Sequence, residues 1–242
     1  MRIAVFSDIH ANLHALEAVL AEVDGESVDA LWCLGDLVGY GPRPNECVDL
    51  VRERATLSLC GNHDLAVLGA IDIAEFSEEA ARAAQWTREL LGHAQGEWLA
   101  GLSPTAELDG AQLFHGSPRD PVWDYVLSED VAYSSLQATT APLVLVGHSH
   151  VALALAWDGT TMTGGLAPFE TTAELPDRRW LLNPGSVGQP RDGDARAAWL
   201  LLDTGAGRAS FRRVEYPIEQ TQAEMAEADL PPALAVRLAH GI

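Results

Sequence analysis

Five apolar runs in this chain each stop at a short cluster of acid, amide or imidazole side chains, and that punctuation limits the folds open to it. Arg2 to Phe6 ends in Ser7-Asp8-Ile9-His10, and Ala30 to Leu34 drives straight into Gly35-Asp36. Thr56 to Leu59 leads to Gly61-Asn62-His63-Asp64. Gln112 to Phe114 leads to His115-Gly116-Ser117, and Leu143 to Val146 to Gly147-His148-Ser149-His150. Short apolar runs bounded by turn formers read as strands buried on both faces. In open α/β sheets, ligands gather beyond the carboxyl ends of such strands. The pattern therefore expects an edge crowded with carboxylates and imidazoles, with Asp36 at its centre.

Between the runs the period becomes helical. Leu13, Leu16, Val19, Leu20 and Val23 recur at helix spacing behind Asn12, an N-cap residue. Pro44 to about Arg54 predicts a second helix with proline in its first turn. The order βαβαβ implies right-handed crossovers and a parallel sheet. Ser77 caps a predicted helix to about Leu91, with Ala80, Ala84, Trp86 and Leu90 as its buried side. Shorter helices are expected over Gly96 to Leu102 and Ser128 to Ala138. Asp109-Gly110, between Thr105 to Leu108 and Gln112 to Phe114, is a hairpin signal. Beyond His150 the chain reads as strand: Leu153 to Trp157, Phe169 to Leu175, Trp180 to Asn183, Ala198 to Leu202 and Ala209 to Tyr216. Two short helical segments, broken by Pro231-Pro232, follow Glu219. The expected class is α/β, with two sheets packed face to face and helices outside. One domain over residues 1–242 is expected, a length that supports a large core.

The net charge of -20, from 35 acidic and 15 basic residues, argues against nonspecific binding to nucleic-acid backbones. A small phosphorylated substrate stays open, because bound metal ions reverse the local field. Cys33, Cys47 and Cys60 are odd in number and form no C-x-x-C, so neither a disulfide framework nor a zinc ribbon is expected. With a first strand read from Arg2, no signal peptide is expected. The apolar stretch from Leu143 to Trp157 is interrupted and too short to span a bilayer, so a cytoplasmic protein is expected.

The clustered residues are Asp8, His10, Asp36, Asn62, His115, His148 and His150. Nitrogen and oxygen donors without thiolate suit manganese, iron, zinc, cobalt or nickel. Two such ions about 3.5–4 Å apart clamp the attacking and leaving oxygens of a phosphoryl displacement, and they need a bridging carboxylate. His14, His93 and His240 match no motif and read as ordinary structural or surface residues.

In order, D-x-H, G-D-x-x-G-Y, G-N-H-D, H-G-S and G-H-S-H resemble the calcineurin-like metallophosphoesterase superfamily over nearly the whole chain. Gly39-Tyr40-Gly41-Pro42-Arg43-Pro44-Asn45 and Asn183-Pro184-Gly185-Ser186 narrow the resemblance to small prokaryotic phosphodiesterases and diadenosine-tetraphosphatase-like proteins. The resemblance implies a four-layer α/β/β/α sandwich of two mixed sheets. It implies one divalent or transition metal ion on Asp8, His10, Asp36 and His150, and a second on Asp36, Asn62, His115 and His148. The implied nucleophile is a hydroxide held between them. His63 matches the family's catalytic histidine, with Asp64 either orienting it or capping a helix. Tyr40 either walls the pocket or fills its loop, and Asn12 either touches substrate or only caps. Arg191 either binds substrate phosphate or pairs with Asp192 or Asp194. Protein phosphatases of the superfamily carry an arginine two positions beyond their G-N-H-E, where Asp64 is here followed by Leu65, Ala66 and Val67. The expected activity is hydrolysis of phosphodiesters or small phosphorylated metabolites. The rivals are dinucleoside polyphosphate hydrolysis and a non-catalytic scaffold.

Overall fold

The computed structural model describes residues 1–108 and 110–242. β1 (Arg2–Phe6), β2 (Ala30–Cys33) and β3 (Leu57–Ser58) alternate with α1 (Leu13–Asp24) and α2 (Pro44–Arg54) and pair in parallel, as the βαβαβ order requires. β9 (Thr172–Glu174), β11 (Ala197–Asp203) and β12 (Arg208–Val214) extend this sheet antiparallel, in the order β3-β2-β1-β11-β12-β9. The second sheet contains β4 (Thr105–Leu108), β5 (Ala111–Phe114), β6 (Leu143–Leu145), β7 (Leu153–Trp157), β8 (Met162–Leu166) and β10 (Arg179–Asn183). Its order is β4-β5-β6-β10-β7-β8, with β5, β6 and β10 parallel and the rest antiparallel.

Strand alternation divides the core. Ile3 and Val5 of β1, Trp32 of β2 and Leu200 and Leu202 of β11 face the second sheet, where they meet Leu113, Leu145 and Leu182. The intervening Ala4, Phe6, Cys33, Trp199 and Leu201 face α1 and α2, against Leu16, Val19, Val48 and Val51. On the far side, α6 (Glu129–Gln137) sets Ala132 and Leu136 on Val144, Leu155 and Leu181. The architecture is thus the expected four-layer α/β/β/α sandwich of two mixed sheets, each face buried by period-2 patterning. Such buried leucines each cost about 2–5 kcal/mol on truncation to alanine.

Some local expectations differ. α3 (Asn62–Val67) begins directly at the G-N-H-D motif, and β3 shrinks to two residues. β8 was not expected, because Gly164 and Gly165 interrupt its apolar pattern. Gly164 is required there, since a Cβ would strike the Ala154 carbonyl on β7. α4 (Glu78–Leu90) buries Ala80, Ala83, Ala84 and Thr87, and expected-buried Leu90 is 48% exposed. The short helix expected from Gly96 is α5 (His93–Ala100). The β4–β5 hairpin forms, while Asp109 of its turn signal lies outside the described residues. α7 (Ile218–Glu227) and α8 (Pro232–Leu238) close the chain, packing Met225, Leu234 and Leu238 on Ala83 and Tyr40. No helix among the described residues is long and apolar enough to cross a membrane.

Candidate metal centre

The loops leaving β1 and β2 zip together before any side chain is considered. Asp8 N donates to Gly35 O at 3.0 Å and His10 N to Asp36 O at 3.0 Å. A third loop braces them from β10. Val187 N donates to Ser7 O, while Gly188 N and Ser186 Oγ donate to Asp8 O. Asn183 Nδ2 donates to Gly147 O at 2.7 Å and Ser149 Oγ at 3.0 Å, tying the G-H-S-H turn to the same brace. Asp8, His10, Ala11, Asp36, Tyr40, His148 and His150 all adopt positive φ between 49° and 62°. A left-handed L-residue costs about 1–2 kcal/mol, so such strain gathered in one place marks a functional site. Gly61 is glycine because a Cβ would collide with Asp36 Oδ1, and Gly39 because a Cβ would sit 2.6 Å from His63 Nδ1.

Two ligand groups meet at Asp36. One is Asp8, His10, Asp36 and His150, and the other Asp36, His115 and His148, with donor atoms in each within 4.8 Å of one another and every residue buried. Asp36 Oδ1 accepts His63 N at 2.8 Å. Asp36 Oδ2 has no hydrogen-bond partner and lies 3.6 Å from His10 Nε2 and 3.4 Å from His115 Nε2. Asn62 Oδ1 lies 3.1 Å from His115 Nε2, beside the second group.

The hydrogen bonds test whether cations fit. Nδ1 of His10, His115 and His150 faces the carbonyls of Val38, Leu34 and Gln189 at 3.2, 3.0 and 2.6 Å. A carbonyl only accepts, so each Nδ1 donates, and in the neutral ring Nε2 presents a lone pair. His10 Nε2 and His150 Nε2 then stand 3.0 Å apart, lone pair to lone pair. His148 Nε2 is buried without a partner. These contacts are repulsive or unsatisfied by protein alone and favourable around a cation. The residues fit a metal centre.

Electrostatics agree. Burial lowers His10 and His150 well below the usual imidazole range, His63 to about 4 and His148 to about 3. Burial also raises Asp8 to about 7. Burial opposes ionisation of Asp36 too, yet His115, His63 and His10 hold it well below the carboxylate range. Burial likewise opposes a charged His115, but Asp36 and Asp8 carry it to about 9. A cation placed here would displace the His115 proton, since ligation needs the neutral ring.

Hydrogen bonds bear on the alternative roles of three residues. Asp64 does not orient His63. Its Oδ1 accepts Leu37 N at 2.9 Å and Val38 N at 3.0 Å, and its Oδ2 accepts Gly61 N at 2.9 Å. It caps α3 and clamps the β2 loop, the alternative role weighed for it. Asn12 is not free for substrate. Oδ1 accepts Ala15 N and Thr221 Oγ, and Nδ2 donates to Gly188 O. Arg191 pairs with neither nearby acid, since Asp192 binds Arg213 and Asp194 binds Arg196. Arg191 instead donates to Gln189 Oε1 at 2.8 Å and Tyr40 Oη at 3.3 Å. Tyr40 walls the site, its ring 4.6 Å from His10 and 4.3 Å from His63.

Sequence reading missed the aromatic rim. Tyr125 stacks on His148 at 3.9 Å, and Phe76 packs edge-on against His63 at 4.7 Å with Trp123 behind it. None sits in a periodic run or a motif. The one available signal is Trp123-Asp124-Tyr125, a polar-aromatic loop close after H-G-S.

The model of the calcineurin-like phosphoesterase superfamily domain matches residues 1–207. The uncharacterized protein MJ0912 of Methanocaldococcus jannaschii is 36% identical, over 98% of this chain and 96% of that one. A metallophosphoesterase from Sphaerobacter thermophilus superposes with a TM-score of 0.91 at 43% identity, covering 100% and 99% of the two chains. A symmetrical bis(5'-nucleosyl)-tetraphosphatase of Stutzerimonas stutzeri is 41% identical over 64 residues, 25% of this chain and 23% of that protein. With its buried Asp/His cluster at the strand ends, this chain belongs to the calcineurin-like phosphoesterase superfamily.

Proposed function

We propose that this protein is a metal-dependent phosphoester hydrolase with two ions sharing Asp36, acting on phosphodiesters or small phosphorylated metabolites. The observation that carries the reading is the convergence of both ligand groups on one carboxylate whose Oδ2 has no protein partner. Bound divalent ions supply Lewis-acid stabilisation of phosphoryl charge and a nucleophile at neutral pH. Asp8, His10 and His150 would hold one ion, and Asn62, His115 and His148 the other. Arg191, with no carboxylate partner among the described residues, is free to bind a phosphate oxygen in the bidentate manner of guanidinium. His63 packs its Nδ1 against Gly39, leaving Nε2 as the ring atom that delivers a proton to the leaving oxygen. Tyr40 and Phe76 hold that ring from two sides and exclude water.

In the same reading, residues 1–242 act as one domain in the cytoplasm, on a small phosphorylated substrate, away from membranes and nucleic-acid backbones. Leu65, Ala66 and Val67, where protein phosphatases place arginine, disfavour phosphoproteins. Dinucleoside polyphosphates are the second reading, favoured by the short match to the Stutzerimonas tetraphosphatase. A panel of mono- and diesters, dinucleoside polyphosphates and phosphoserine peptides, each with Mn, Fe, Zn, Co or Ni, tests both. The diester or small metabolite is expected to give the highest kcat/KM. A phosphopeptide as best substrate, or no turnover with any metal, contradicts the reading.

A further inference from the structure

Beyond residue 207, where the family match ends, α8 brings a second guanidinium toward the site. Arg237 Nη1 lies 3.4 Å from Gln189 Oε1, the same amide oxygen that accepts Arg191 Nη2 at 2.8 Å. Two cations therefore share one neutral acceptor. Neither makes an ion pair among the described residues, in a chain with 35 acids and 15 basic residues, all arginine. Burial and the Arg191 charge disfavour the charged form of Arg237, and Glu79, which favours it, makes no ion pair with it. Gln189 is 1% exposed, its Nε2 has no hydrogen-bond partner, and its backbone oxygen accepts His150 Nδ1. One buried residue thus links the metal-ligand histidine to both arginines.

Arg237 also lines a cleft of about 570 Å³ with Ser77, Leu234, Val236 and Ile242. That volume suits a small ligand, and the lining sets apolar Ala233, Leu234, Val236 and Ile242 beside polar Ser77, Glu79 and Arg237. Ser77 of the lining follows Phe76, whose ring rests on His63. Like charges sharing one neutral acceptor, with no carboxylate at ion-pair distance, are stabilised by an anion, and paired guanidiniums match phosphate geometry.

We propose that Arg237 and Arg191 form a second anion subsite that takes a phosphate group not being cleaved, with the organic body attached to it lying in the α8 cleft. This deepens the phosphoesterase reading and rests on it for the identity of the first phosphate. The substrate then carries at least two phosphate groups separated by an organic body.

Calorimetric binding of thymidine 3′,5′-bisphosphate and thymidine 5′-monophosphate to the metal-loaded full chain tests the subsite. Wild type is expected to bind the bisphosphate at least tenfold more tightly. Arg237→Gln should bring the two ligands within threefold while leaving the monophosphate within twofold of wild type. Arg237→Lys, which retains charge, should keep more of the preference than Arg237→Gln. No preference in wild type, an unchanged preference in Arg237→Gln, or equal behaviour of the two variants overturns the subsite. Phosphate release from both ligands is assayed separately, so that binding heats are distinguished from turnover. A protein that discriminates but hydrolyses no ester keeps the subsite and rejects the phosphoesterase reading, and hydrolysis without discrimination does the reverse.

Discussion

His63 follows the ligand-type Asn62 directly, yet its backbone N donates to Asp36 while its ring packs among Tyr40, Phe76 and His10. Burial holds the ring near 4, and a bound anionic phosphate opposes that effect by favouring the protonated form. A general acid at Nε2 typically contributes about 10²–10⁴-fold. His63→Ala should therefore keep its metal content and lose more kcat/KM on a nucleoside diester than on a nitrophenyl diester, whose leaving group departs unaided. Equal losses on the two would mean electrostatic stabilisation instead. Lost metal would make His63 a ligand. At this scale the sequence named the residues of the cluster because each ends an apolar run. It left Asp64 between two roles because identical carboxylates cap or orient according to loop geometry, which one chain segment does not encode. Tyr125 and Phe76 escaped notice because an exposed or half-buried aromatic in a loop carries no period.

The elements were legible where patterning and caps agreed. α1, α2, β1 and β7 formed over the expected residues, with Asn12 capping α1. β8 was hidden because its glycines serve a close backbone approach, a tertiary demand invisible to local propensity. Asn12 joins three elements through Ala15 N, Gly188 O and Thr221 Oγ. Loss of an N-cap alone costs about 0.5–2 kcal/mol. Asn12→Ala should lower the urea midpoint by at least that equivalent, with KM unchanged. A raised KM at unchanged stability would return Asn12 to the substrate site.

Across the whole molecule, the two sheets matter because their strand ends converge from opposite layers. Asp8, Asp36 and Asn62 come from the first sheet, while His115, His148 and His150 come from the second. Neither sheet alone supplies all residues of either candidate group, so a bound ion would tie the layers together. The motif order made this visible in the sequence, whereas the part played by α8 depended on packing between distant segments. Asp36 stands where the two sets meet. The most direct measurement is metal content per chain, by mass spectrometry of wild type and Asp36→Asn purified alike. Two ions are expected in wild type, fewer at both positions in Asp36→Asn, and loss of most turnover with them. Full metal content and undiminished turnover in Asp36→Asn would contradict the sharing of Asp36.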